Sequence, residues 1–96
     1  MYYVSFYTVR DPALIRDVYP RHRAFVDQVA RDGDIASIGI FGDPVGEGAM
    51  CVFRSSEAAQ DFLAHDPFVT EGVVTPSPLR EWEPLEYDRD GRRTDR

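Results

Sequence analysis

Apolar and polar side chains alternate from residue 2 to residue 9, with Val4 and Phe6 on one side and Tyr3, Ser5 and Tyr7 on the other, the period of a half-buried strand. Helical spacing takes over after Asp11-Pro12, a capping residue followed by a first-turn proline. Leu14, Val18, Phe25 and Val29 form one stripe that runs to about Asp32, and Gly33 closes it. Pro20 falls inside this run. It lacks an N–H and disfavours helical backbone at Tyr19, so a short helical turn, a bend and a main helix from about Pro20 are expected. Ile35 to Phe41 reads as a second strand and Ala49 to Arg54 as a third. The turn-rich loop between them, Gly42 to Gly48, is long enough to border a pocket. Ser55 or Ser56 caps a second helix of about three turns, with Ala58, Ala59, Phe62 and Leu63 on its apolar face and Pro67 as its stop. After a loop through Phe68 and Gly72, Val73 to Glu83 carries strand residues interrupted by Pro76 and Pro78, the mark of an edge strand, with Trp82 as its largest anchor.

The element order is βαββαβ, and right-handed crossovers put both helices on one face of a four-stranded antiparallel sheet, a ferredoxin-like α+β fold. Two helices cover one face only. The other, assigned here to Tyr3, Ser5 and Tyr7, must stay wet or be covered, and its aromatic content points to a homodimer closing sheet on sheet. Residues 1–85 make the domain. Residues 86–96 are almost wholly polar and read as a disordered tail, because they cannot bury enough surface to order themselves.

Ninety-six residues suffice for one two-layer core and no second lobe. The apolar runs are only a few residues long, which excludes a membrane span, and no basic segment followed by an apolar stretch opens the chain, so the cytoplasm is the expected location. Cys51 is alone and can build neither a disulfide within the chain nor a cysteine zinc site. A net charge of −6, with no basic stripe interleaved with aromatics, makes nucleic acid a poor partner.

Two polar residues sit where apolar ones belong. His22 fills the missing step of the first helical stripe, and Asp66 lies four residues after Phe62, directly before Pro67. If both helices pack on one sheet, an imidazole and a carboxylate meet in the interior, where the acid orients the base and favours its charged form. A structural histidine satisfied by one hydrogen bond is the competing reading for His22, and a turn-forming cap is the competing reading for Asp66. Their pairing favours chemistry, since a carboxylate that accepts from a buried imidazole is a recurrent way to prepare a general base. Asp34, after Gly33, competes as the partner of His22, although a turn role suits it better. His65 falls about 100° from Asp66 around its helix and faces solvent. Ser5 and Tyr7 share a strand face and are candidate donors to a ligand, with Phe41, Gly42 and Phe68 as pocket walls. No metal or cofactor is expected: His22 and His65 have no ligand spacing to each other, and Gly42 to Gly48 lacks the lysine and following helix of a phosphate loop.

The strand Tyr2-Tyr3-Val4, the segment Arg21-His22-Arg23, the later Gly39-Ile40-Phe41-Gly42, and Ala58-Ala59 followed by Asp66-Pro67-Phe68-Val69 and Gly72 together resemble the YciI-like (YCII-related) family over residues 2 to 83. The resemblance implies a dimeric ferredoxin-like α/β barrel and a His-Asp pair proposed as catalytic, here His22 and Asp66, with loose kinship to small isomerases and dehydrochlorinases of aromatic breakdown. Two segments depart from the family pattern. The Gly-Pro expected after strand two reads Phe41-Gly42-Asp43-Pro44, and the last strand ends Glu81-Trp82-Glu83 in place of Pro-Phe. Both bear on pocket shape. The expected function is a small cofactor-free lyase or isomerase that acts on a small aromatic or carbonyl-containing metabolite through a His-Asp base. The alternative is a non-catalytic dimeric domain that binds a metabolite or a protein, and an oxygen-using barrel of similar fold ranks third.

Overall fold

A computed structural model describes residues 1–94. Strand β1 (Tyr2–Val9) leads through a 3-10 turn (Pro12–Leu14) into helix α1 (Ile15–Arg31), then β2 (Ile35–Ile40), the short α2 (Pro44–Glu47), β3 (Ala49–Phe53), α3 (Ser56–His65), the short α4 (Pro67–Thr70), β4 (Val74–Pro76) and β5 (Arg80–Trp82). The strands form one open antiparallel sheet in the order β2-β3-β1-β4, with β5 on the same side of β1 as β4. This is the ferredoxin-like arrangement, with the expected fourth strand divided into two.

The division has a local cause. β4 pairs with the Tyr7–Val9 end of β1 and β5 with its Tyr2–Val4 end, and the register slips by one residue between them, so Ser77-Pro78-Leu79 forms a bulge opposite Ser5 and Phe6. Ser77 holds it in place. Its Oγ accepts from the Phe6 N–H at 2.8 Å, its own N–H donates to the Phe6 carbonyl at 2.7 Å, and its carbonyl accepts from Ser5 Oγ at 3.0 Å.

Asp-Pro pairs open three helical segments: Asp11-Pro12 at the 3-10 turn, Asp43-Pro44 at α2 and Asp66-Pro67 at α4. The expected bend at Pro20 is replaced by one helix from Ile15. Pro20 leaves only the Arg16 carbonyl without its helical donor, and both residues are on the exposed side, where water serves that oxygen. Val18, His22 and Val26 are the buried line of α1, flanked by Phe25 and Val29. Ser55 caps α3 by accepting from the Ala58 N–H at 3.0 Å.

The two faces of β1 are the reverse of the expectation. Tyr3, Ser5 and Tyr7 turn toward the helices, and Val4 and Phe6 lie on the open face. Alternation defines two sets without saying which is inward. The partners decide it: Cys51 and Phe53, paired with Ser5 and Tyr3, are fully buried, and Phe53 packs against Phe62 of α3. Gly48 lets β3 begin against β1; its φ is +81° and a Cβ there would fall 1.9 Å from the Tyr7 carbonyl oxygen.

The polar end turns back on itself through a Tyr87–Arg93 bridge. Asp88 Oδ1 accepts from the N–H groups of Asp90 and Arg92, both at 2.9 Å, a local side-chain-to-backbone turn. Asp95 and Arg96, the rest of that tail, lie outside the described residues. No helix among the described residues is long and apolar enough to cross a membrane.

Candidate active site

Asp66 ends α3 and caps α4, and at this junction its carboxylate turns into the space between α1 and the sheet. It is 0% exposed. Such a charge is tolerable only with donors around it, and three are in place. Tyr7 donates its hydroxyl to Oδ2 at 2.5 Å, His22 Nδ1 lies 2.7 Å from Oδ1, and the Phe68 backbone N–H donates to Oδ1 at 3.1 Å. Burial, then the negative charge of Asp66, push the Tyr7 phenol far above its ordinary range, so Tyr7 is a neutral donor throughout the physiological pH range. The same two causes push the buried Cys51 thiol up to about 12.

An ionised carboxylate only accepts, so it selects the tautomer with hydrogen on Nδ1 and leaves the lone pair on Nε2. Phe68 fixes the plane of the ring: the two rings stack at 3.9 Å with 4° between their planes, and Tyr19 lies against the imidazole at 6.0 Å. His22 thus has one orientation. It lines a cavity of about 630 Å³ between α1, the sheet and the α2 turn, a size suited to a small organic molecule. Val9, Val26, Ile38, Ala49 and Val74 make apolar walls, and Tyr7, Tyr19, His22, Arg23 and Asp27 bring the polar groups.

Of the residues singled out by sequence, His22, Asp66, Tyr7 and Phe68 come together here. Ser5 lies outside the lining, bonded to the Ser77 carbonyl. Phe41 stacks on Phe6 at 6.5 Å, and Gly42 sits beside Glu47 at the α2 turn; neither lines the cavity. Asp34 uses its carbonyl to accept from the Arg54 N–H and is not the partner of His22. His65 is exposed, with Nδ1 at 2.8 Å from the Asp61 carbonyl oxygen. Among the described residues, no three His, Cys, Asp or Glu side chains are grouped to hold a metal ion. Sequence reasoning passed over Tyr19, Arg23 and Asp27, although their spacing of four residues on one helix places them on one face. It also placed Tyr7 toward a ligand and not toward Asp66.

A ferredoxin-like α+β domain with a buried histidine and aspartate between its first helix and the end of its second long helix defines the class. The chain belongs to the YCII-related domain family, which it matches over residues 1–83. Among the solved structures that share the fold are two bacterial proteins. One is 5-chloro-2-hydroxyhydroquinone dehydrochlorinase (TftG) from Burkholderia phenoliruptrix AC1100, in complex with 2,5-dihydroxybenzoquinone. It has 18% identity and a TM-score of 0.66, over 96% of this chain and 100% of that one. The other is SnoaB, a cofactor-independent oxygenase from Streptomyces nogalater, at 19% identity and a TM-score of 0.50, over 86% of this chain and 92% of that one. Among curated proteins, none matches this chain in sequence.

Proposed function

We propose that the protein is a small cofactor-free lyase or isomerase that removes a proton from a planar aromatic or carbonyl-containing metabolite, with His22 as general base and Asp66 as the group that orients it. The observation that carries this reading is the three-donor carboxylate bonded to Nδ1 of a histidine whose ring lines a cavity. In such a pair Nε2 takes the proton, and Asp66 balances the charge that forms on the imidazole. Tyr7 and Phe68 complete the reacting end of the cavity. The names of the two structural neighbours, a dehydrochlorinase and a cofactor-independent oxygenase, support small-molecule chemistry of this kind. A second copy of the chain covers the open sheet face, where Val4, Phe6, Met50 and Trp82 gather.

The test is proton exchange. Phenols, hydroxyquinones including 2,5-dihydroxybenzoquinone, and keto acids are incubated with the protein in heavy water and followed by NMR. Wild type is expected to exchange at least one class, and His22→Gln to slow that exchange roughly 100-fold or more. Full activity in His22→Gln refutes the mechanism. Binding without exchange by any compound assigns the cavity to recognition alone.

A further inference from the structure

We propose that Arg23 is the anion anchor of this cavity, so that the substrate is a planar ring or enol bearing an acidic oxygen, whose negative charge Arg23 holds while His22 takes the proton. The inference rests on the reading of His22 as the base and adds the group that receives the charge.

Charge balance requires such a group. When Nε2 takes a proton from carbon next to a carbonyl, the C–H electron pair moves into the conjugated system and the carbonyl oxygen becomes an oxyanion. The proton stays on Nε2 as an N–H. The imidazolium that results is already matched by Asp66 at 2.7 Å. The oxyanion is therefore left in an apolar cavity without a counter-charge unless another cation lines it. Among the described residues, Arg23 is the one arginine in the lining. Its neighbour Arg21 is spent on Glu71 through two hydrogen bonds and lies outside. A net charge of −6 disfavours anions near the protein as a whole, which makes a local cation the more necessary.

The guanidinium is also held in position. Asp27 Oδ1 accepts from its Nε at 3.2 Å, and the Tyr19 hydroxyl accepts from Nη1 at 3.3 Å. Among the described residues none accepts a hydrogen bond from Nη2, so one edge of the fork remains for a ligand oxygen. Tyr19 joins the two groups, since it meets His22 with its ring and Arg23 with its hydroxyl. Asp27 offsets part of the positive charge. It engages the Nε side only, and it fixes the fork in one direction.

The experiment compares two coloured ligands by absorbance titration of the full chain at neutral pH: 2,5-dihydroxybenzoquinone, which is anionic there, and its neutral dimethyl ether. Wild type is expected to prefer the anion. Arg23→Gln should weaken anion binding about 10- to 100-fold and leave the ether within about twofold, and Arg23→Lys should recover part of the loss. A wild type without preference for the anion, including one that binds neither ligand, overturns the proposal, as does an Arg23→Gln loss that is equal for both. His22→Gln separates the two claims. Unchanged proton exchange in that variant removes His22 as the base, whereas the anchor is judged on the Arg23 titrations alone.

Discussion

Changing Tyr7 to Phe removes one oxygen from the interior and leaves the ring in place, so its cost isolates what Asp66 requires. The geometry makes the exchange uneven. His22 and Phe68 both serve Oδ1, and Tyr7 is the donor to Oδ2, with a hydrogen bond of 2.5 Å at a carboxylate that is 0% exposed. A hydrogen bond to a charged group contributes about 1.5–3 kcal/mol, and an oxygen left buried without a donor adds its desolvation cost, so the expected loss is roughly 3 kcal/mol. For a domain of this size that lowers Tm by roughly 12–24 °C. Urea and thermal unfolding followed by circular dichroism, at pH 7 and equal protein concentration, measure it. In a cycle with Asp66→Asn, which neutralises the acceptor, the two losses should fail to add by roughly 1 kcal/mol. A Tyr7→Phe loss below about 0.5 kcal/mol, or an additive cycle, would refute the view of Asp66 as a buried anion held by its three donors.

Two more outcomes follow from features away from the cavity. The unfolded Cys51 thiol ionises near 9.0, whereas the folded one keeps its proton to about 12, so the unfolded state binds fewer protons in that window. The contribution is complete below pH 9 and lost as pH rises toward 12. Urea midpoints at stepped alkaline pH should fall less steeply for Cys51→Ala than for wild type, and parallel curves would contradict the assignment. Phe6→Glu puts a charge in the centre of the open sheet face. Light scattering is expected to give two chains per particle for wild type and one for the variant, and a single-chain wild type removes the second copy from the proposal.

The candidate site was legible where a residue type broke a period. His22 interrupts an apolar stripe, and Asp66 follows the apolar face of its helix, so each could be placed on an inward face before any coordinates. Their distance could not, because it depends on how two helices far apart in sequence pack on one sheet. Tyr7 shows the other limit. A strand's alternation separates its faces without ranking them, and in β1 both sets carry aromatics, so only the partners Cys51 and Phe53 reveal that Tyr7 points inward. Two of the three Asp-Pro helix starts were hidden in segments read as loops, because a four-residue helix has too few positions to show a period. Pro20 does not interrupt α1. A missing donor costs little when the orphaned carbonyl faces water, and exposure is a property of packing.

The bulge at the sheet margin also governs how the protein behaves when concentrated. Ser77 turns its backbone groups inward to β1, so the flanking positions, Pro76 and Pro78, are those that would offer hydrogens to a strand arriving from outside. Proline has none to offer. A neighbouring chain that approaches this border meets carbonyl oxygens without matching donors, and runaway strand addition, the route to fibrils, is blocked there by covalent structure.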